Sequence, residues 1–208
     1  MKKLILCMLL LSAVLCGCRK PEPDPEEYCA KPVIYLYPEE KMKVSVTLDY
    51  SGRLTSTYPS YDGGWEISAK PDGSLTDENG REYYCLFWEG TSDWEYDFST
   101  GFVVAGEETG AFLEESLSSL GLTDTEANEF IIYWLPRMEG NPYNLISFQT
   151  DAYTDHAKLT IDPAPDTLLR VFMAWKPLEE EIEITPQLLE SPRRTGFTVV
   201  EWGGAEVS

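Results

Sequence analysis

The sequence predicts an α+β domain, mainly an antiparallel β sheet or sandwich of about nine strands with one helical hairpin at about 109–130. Three observations lead there. Short segments that alternate apolar and polar residues, or are dense in β-branched and aromatic residues, recur from Lys31 to Trp202. The period changes to three and four once, between Thr109 and Phe130. Nothing in between has the strand–helix–strand rhythm that a parallel sheet requires.

The segments justify this in order. Lys31–Pro38 is an apolar and aromatic run bracketed by prolines, as suits a strand buried on both faces. Lys43–Tyr50 alternates, with Val44, Val46, Leu48 and Tyr50 on one side, and Ser51-Gly52 turns it into Arg53–Tyr58. Trp65, Ile67 and Ala69 alternate again. Turn signals at Pro71-Asp72-Gly73 and Asn79-Gly80 flank a short segment, and Glu82–Glu89 reads as an aromatic-rich strand.

Leu113, Leu117 and Leu120 then mark a helix that Thr109 caps and Gly121 ends in a left-handed turn. Thr123-x-x-Glu126 is a capping box that starts a second helix carrying Ala127 and Phe130. Ile131–Leu135 is so β-branched and aromatic that it reads as a turn into a strand before Pro136. Strands follow at Asn144–Thr150, Ala157–Ile161 and Leu168–Lys176. A weak edge strand holds Ile182 and Ile184, and Phe197–Trp202 closes the domain.

Ahead of the domain stand a leader (1–17) and a tether (18–28). The globular part (29–208) has 180 residues, a usual single-domain size. Lys2 and Lys3 precede a 12-residue apolar run, Leu4–Leu15, and a small residue ends it. That is the pattern of a secretory signal peptide, and the run falls short of the ~20 residues a membrane-spanning helix needs. Leu15-Cys16-Gly17-Cys18 further resembles the bacterial lipobox. The resemblance implies cleavage after Gly17 and lipid on Cys18, holding the protein to the cell envelope outside the cytoplasm; a plain signal peptide is the alternative. Prolines at 21, 23 and 25 make Arg19–Tyr28 an extended spacer, able to reach ~30 Å at ~3.1 Å per residue.

Charge narrows the partners. The formal net charge is −20, and −22 once Lys2 and Lys3 leave with the leader. Such a surface is repelled by nucleic-acid phosphates, so no nucleic-acid partner is expected. Cys29 and Cys85 are the cysteines left beyond the leader and Cys18. They are either a disulfide in an oxidising compartment or two buried free thiols. No Cys-x-x-Cys, phosphate-cradling glycine loop or Gly-x-Ser-x-Gly elbow is present, and no cofactor is expected.

The strings KPVIYLYP, YYCLFWEG, FIIYWLP, NLISFQT, LRVFM and GFTVVEWGG resemble a family of exported bacterial proteins, often lipoproteins, found mainly in anaerobic gut and soil bacteria. The resemblance runs from Lys31 to Gly204. It implies an exported single domain and carries over no catalytic residue.

Trp88-Glu89-Gly90-Thr91-Ser92-Asp93-Trp94-Glu95-Tyr96-Asp97 is the densest aromatic and acidic stretch. Indoles can stack on sugar rings while carboxylates accept hydroxyl hydrogen bonds. Trp88, Glu89, Asp93, Trp94, Glu95 and Tyr96 are therefore the candidate ligand-binding residues, against a reading in which both tryptophans are core. Glu89 with Glu95 or Asp93 would alternatively form a glycosidase pair, which needs ~5–9 Å between carboxyls. Asp93, Glu95 and Asp97 imitate the start of a calcium loop, but Phe98 and Val104 replace its glycine and glutamate. His156, the single histidine, reads as a solvated loop residue. Two functions follow: a lipid-anchored, non-catalytic module for a glycan or envelope component, or an exported carboxylate-dependent hydrolase. The first is preferred, because no convergent catalytic set is visible.

Overall fold

The structure, a computed structural model, describes residues 27–207. The leader with Gly17 and Cys18, and the tether as far as residue 26, lie outside them. Twelve strands form in chain order: β1 (Glu27–Tyr37), β2 (Met42–Tyr50), β3 (Arg53–Tyr58), β4 (Trp65–Ala69), β5 (Leu75–Thr76), β6 (Glu82–Tyr83), β7 (Leu86–Ser92), β8 (Phe102–Ala105), β9 (Tyr143–Gln149), β10 (Ala157–Asp162), β11 (Thr167–Leu178) and β12 (Thr198–Glu206). Three helices accompany them: α1 (Thr109–Ser119), α2 (Asp124–Met138) and α3 (Asp151–His156).

The strands make two sheets. One has seven strands in the order β3-β7-β1-β12-β11-β9-β8, and the other five, β10-β2-β4-β5-β6. Pairing is antiparallel except between β11 and β12. The seven-stranded sheet carries an apolar cluster on each face. Ile34, Leu36, Trp88, Phe172 and Val199 join Val44, Val46, Trp65 and Ile67 of the other sheet in one buried cluster. On the opposite face Val33, Tyr35, Val171, Met173 and Trp202 meet Leu113, Leu117, Phe130 and Trp134 of the helices. Among the described residues no helix is long and apolar enough to cross a membrane.

The expected nine strands become twelve for local reasons. Glu82–Glu89 is not one strand: it breaks at Tyr84-Cys85, leaving β6 in the small sheet and β7 in the large one. β5 and β6 have two residues each, too few to show a period, and β8 has four. The edge strand expected around Ile182 and Ile184 shrinks to one bridge, Thr100 with Thr185.

Ile131–Leu135 is helical rather than a strand, and α2 continues through Pro136 to Met138. Its buried residues Ala127, Phe130, Trp134 and Met138 are spaced three and four apart. Burial of that stripe outweighs the poor helix propensity of the isoleucines. Pro136 sits near the helix end and has no amide to give back to Ile132, whose side chain is exposed.

Thr109 does not cap α1: Glu108 stands at the N-cap without a side-chain bond, and the Thr109 hydroxyl, already inside the helix, donates to the Ala105 carbonyl at 3.1 Å. The end of α1 and the start of α2 behave as their sequence requires. Gly121 has a φ of 87°, as the expected left-handed turn needs. In the capping box the Thr123 amide donates to Glu126 at 2.8 Å and the Glu126 amide to the Thr123 hydroxyl at 3.4 Å. Glu126 is buried and also bound by the Arg194 guanidinium at 2.5 and 3.2 Å. Thr123→Ala removes one of these contacts and leaves the ion pair. A loss of ~0.5–2 kcal/mol in denaturant unfolding is expected; an unchanged midpoint would show the cap to be dispensable.

Candidate binding site

The aromatic and acidic stretch does not form a surface platform. From Asp93 to Asp97 the chain has no regular secondary structure, and its side chains alternate between exposed and buried. Asp93, Glu95 and Asp97 point to solvent, whereas Trp94 and Tyr96 turn into the core with Trp88. Trp94 stacks on His156 with ring centres 4.6 Å apart and 11° between planes, and meets Tyr50 edge-on. His156 is accordingly half-buried at the end of α3, not a solvated loop residue. Asp97 accepts the Ser99 amide at 2.7 Å, which holds its carboxyl below the usual range. Among the described residues no three His, Cys, Asp or Glu side chains gather as a metal site.

Cys29 and Cys85 are both buried and free. They lie on opposite faces of the seven-stranded sheet, Cys29 toward the small sheet and Cys85 toward the helices. A bridge would have to pass through the sheet. Burial, reinforced by Glu201, pushes the Cys29 thiol well above its ordinary value. Burial and Glu129 push Cys85 up to about 11, against the pull of Lys31. Both are protonated at neutral pH and poor nucleophiles.

Sequence reasoning missed a buried polar network. Glu201 on β12 is fully buried; it accepts the Arg170 Nε–H of β11 at 2.6 Å and the Trp88 indole N–H of β7 at 3.1 Å. The indole spans β1 to do so. The Arg170 guanidinium lies 4.7 Å above the Tyr153 ring. Burial and Glu201 raise the Tyr153 phenol far above its normal range. The network is closed to solvent and ties the strands together rather than meeting a ligand.

The open aromatic site lies elsewhere. A pocket of about 350 Å³ is lined by Lys31, Val33, Tyr58, Glu82, Tyr83, Tyr84, Cys85 and Phe87. Strand register builds it: Phe87 stands opposite Val33 on one side and Tyr58 on the other, one row across β1, β7 and β3. Tyr83 and Tyr84 enter from the crossing between the sheets. Tyr58 and Tyr84 are 49% and 58% exposed, high for aromatic side chains. Tyr83 meets Tyr58 edge-on at 5.5 Å, with its hydroxyl anchored on Asp77 at 3.0 Å.

Lys31 is the cation of this pocket. Its φ of 60° is the one positive value on a non-glycine residue among those described. It sits in the register shift between β1 and its neighbours, the kind of irregularity that re-aims a side chain. The Glu89 carboxylate accepts its amide at 3.2 Å. The ammonium lies 5.8 Å from the Phe87 ring centre and 5.6 Å from that of Tyr133 on α2. Nearby, the Tyr35 hydroxyl donates to Glu129. Charge from Cys85 and burial push the Tyr84 phenol up to about 12, so its hydroxyl stays protonated. Of the residues expected to bind, Glu89 alone touches this site, through the Lys31 backbone. A sequence clue existed: Tyr83-Tyr84 comes three residues after the Asn79-Gly80 turn, where a break between strands exposes side chains.

A Butyrivibrio fibrisolvens protein, known as an uncharacterized protein in the bglA 3′ region, is 43% identical to this chain over 86 residues. The match spans 40% of this chain and 88% of that protein. No family model matches the chain, and no solved structure matches it significantly.

Proposed function

The chain belongs to the family of that Butyrivibrio protein, and we propose that it is a non-catalytic glycan-binding module, held at the bacterial envelope by lipid on Cys18. The observation that carries this is the pair of exposed tyrosines over a formed pocket. Aromatic faces take the apolar side of a sugar ring, the Lys31 ammonium donates to hydroxyls, and Glu82 accepts from them. The volume is at the low end of small-ligand sites, ~300–1,000 Å³. The lining offers one carboxylate, whereas glycoside hydrolysis works with two.

Tyr84→Ala and Tyr58→Ala are each expected to weaken glycan binding about tenfold, equivalent to ~1.4 kcal/mol. Melting temperatures should barely move, since exposed rings lose few contacts. Calorimetric titration of both variants with the preferred glycan checks this, and undiminished affinity would remove the pocket from the account. The anchor is tested separately. Cys18→Ala is expected to leave the fold intact and release the protein from membranes, read by detergent partition. Retention at the wild-type level would contradict lipid attachment there.

A further inference from the structure

A second surface has a different character. β8 is the last strand of its sheet, and its outer side borders a groove of about 1180 Å³. This exceeds the ~300–1,000 Å³ of small-ligand sites and suits a length of polypeptide. The far wall is the segment 181–186.

The backbone of β8 is open toward the groove at Val103, while the Ala105 carbonyl is taken by the Thr109 hydroxyl at 3.1 Å. The Gly106 amide bonds the Pro142 carbonyl on the β9 side, whereas the Gly101 amide points outward to the Thr185 carbonyl at 3.0 Å. Alternation along an antiparallel strand then sends the N–H and C=O of Val103 outward as well. No strand pairs with that side of β8 beyond the Thr100–Thr185 bridge among the described residues. An edge of this kind is a template for one more strand.

Charge selects the occupant. Glu107, Glu108, Glu115, Glu181 and Glu183 line the groove, no lysine or arginine does, and Phe102, Phe112 and Ile182 supply apolar surface. We infer that the β8 edge receives an extended, basic segment of a partner protein, which adds as a strand and seats its cationic side chains among these glutamates. Main-chain bonds supply affinity in this mode, and alternate side chains supply specificity.

The test uses the full chain in detergent and a fluorescein-labelled peptide of four Lys-Val repeats. Controls are four Glu-Val repeats, the Lys-Val peptide N-methylated at alternate residues to remove its strand-pairing amides, and the Glu181→Lys/Glu183→Lys variant. Expected results are anisotropy-detected binding of the plain Lys-Val peptide, at least tenfold weaker for every control. Hydrogen exchange at the Val103 amide should slow at least tenfold in the complex. Failure of the Lys-Val peptide to bind overturns the inference. Equal binding by the N-methylated peptide, or unchanged Val103 exchange, overturns strand addition in favour of charge attraction alone. Undiminished binding by the charge-reversed variant places the peptide elsewhere and overturns it too.

Discussion

Arg170→Met is expected to destabilise the protein by ~3–5 kcal/mol, because it leaves the Glu201 carboxylate buried with no opposite charge. Glu201 is fully buried and the Arg170 side chain is 8% exposed, so solvent screens the pair little. Truncating one partner therefore costs far more than the pair contributes over a neutral substitute. Adding Glu201→Gln to Arg170→Met should recover a large part of the loss. The amide is uncharged, and its oxygen still accepts the Trp88 N–H. Urea unfolding of the single and double variants reads this directly. A double variant no more stable than the single one would mean that the loss comes from packing around Arg170 and not from the stranded charge.

The second large effect belongs to Trp94. The ring is 7% exposed, stacked on His156 and edge-on to Tyr50. Trp94→Ala should cost ~3–5 kcal/mol, a fall in melting temperature on the order of 10 °C for a chain of this size. A small change would return the indole to the surface and reopen a sugar platform there.

Trp94 also shows how far sequence reasoning reaches. Three flanking carboxylates do require a surface position, and Asp93, Glu95 and Asp97 have it. The residues between them are buried instead, so the acids and the aromatics part company. The period-2 pattern was present in Asp-Trp-Glu-Tyr-Asp and would have placed both rings inside.

The end of α1 and the start of α2 were legible because Thr123, Glu126 and Gly121 act on their own neighbours, whereas the cap expected at Thr109 falls on Glu108. The C-terminal half of α2 was less so: the isoleucines argue locally for a strand, while the Phe130–Trp134–Met138 stripe wins through the sheet it covers. The Glu201 network joins residues 31 and 113 positions apart in sequence, and only the strand order brings them together. The pocket was hidden for a related reason. Tyr58, Phe87 and Val33 become one row through register, which no single segment reveals. The backbone of Lys31 takes its unusual conformation where those strands fall out of step.

A glycan-array screen run in parallel on the wild type and a Tyr58→Ala/Tyr84→Ala variant tests the glycan module most directly. The account predicts that the wild type retains at least one glycan class uncleaved, and that the variant, equally stable to heat, loses it. Equal retention by both proteins, no retention by the wild type, or release of shortened glycans would contradict it.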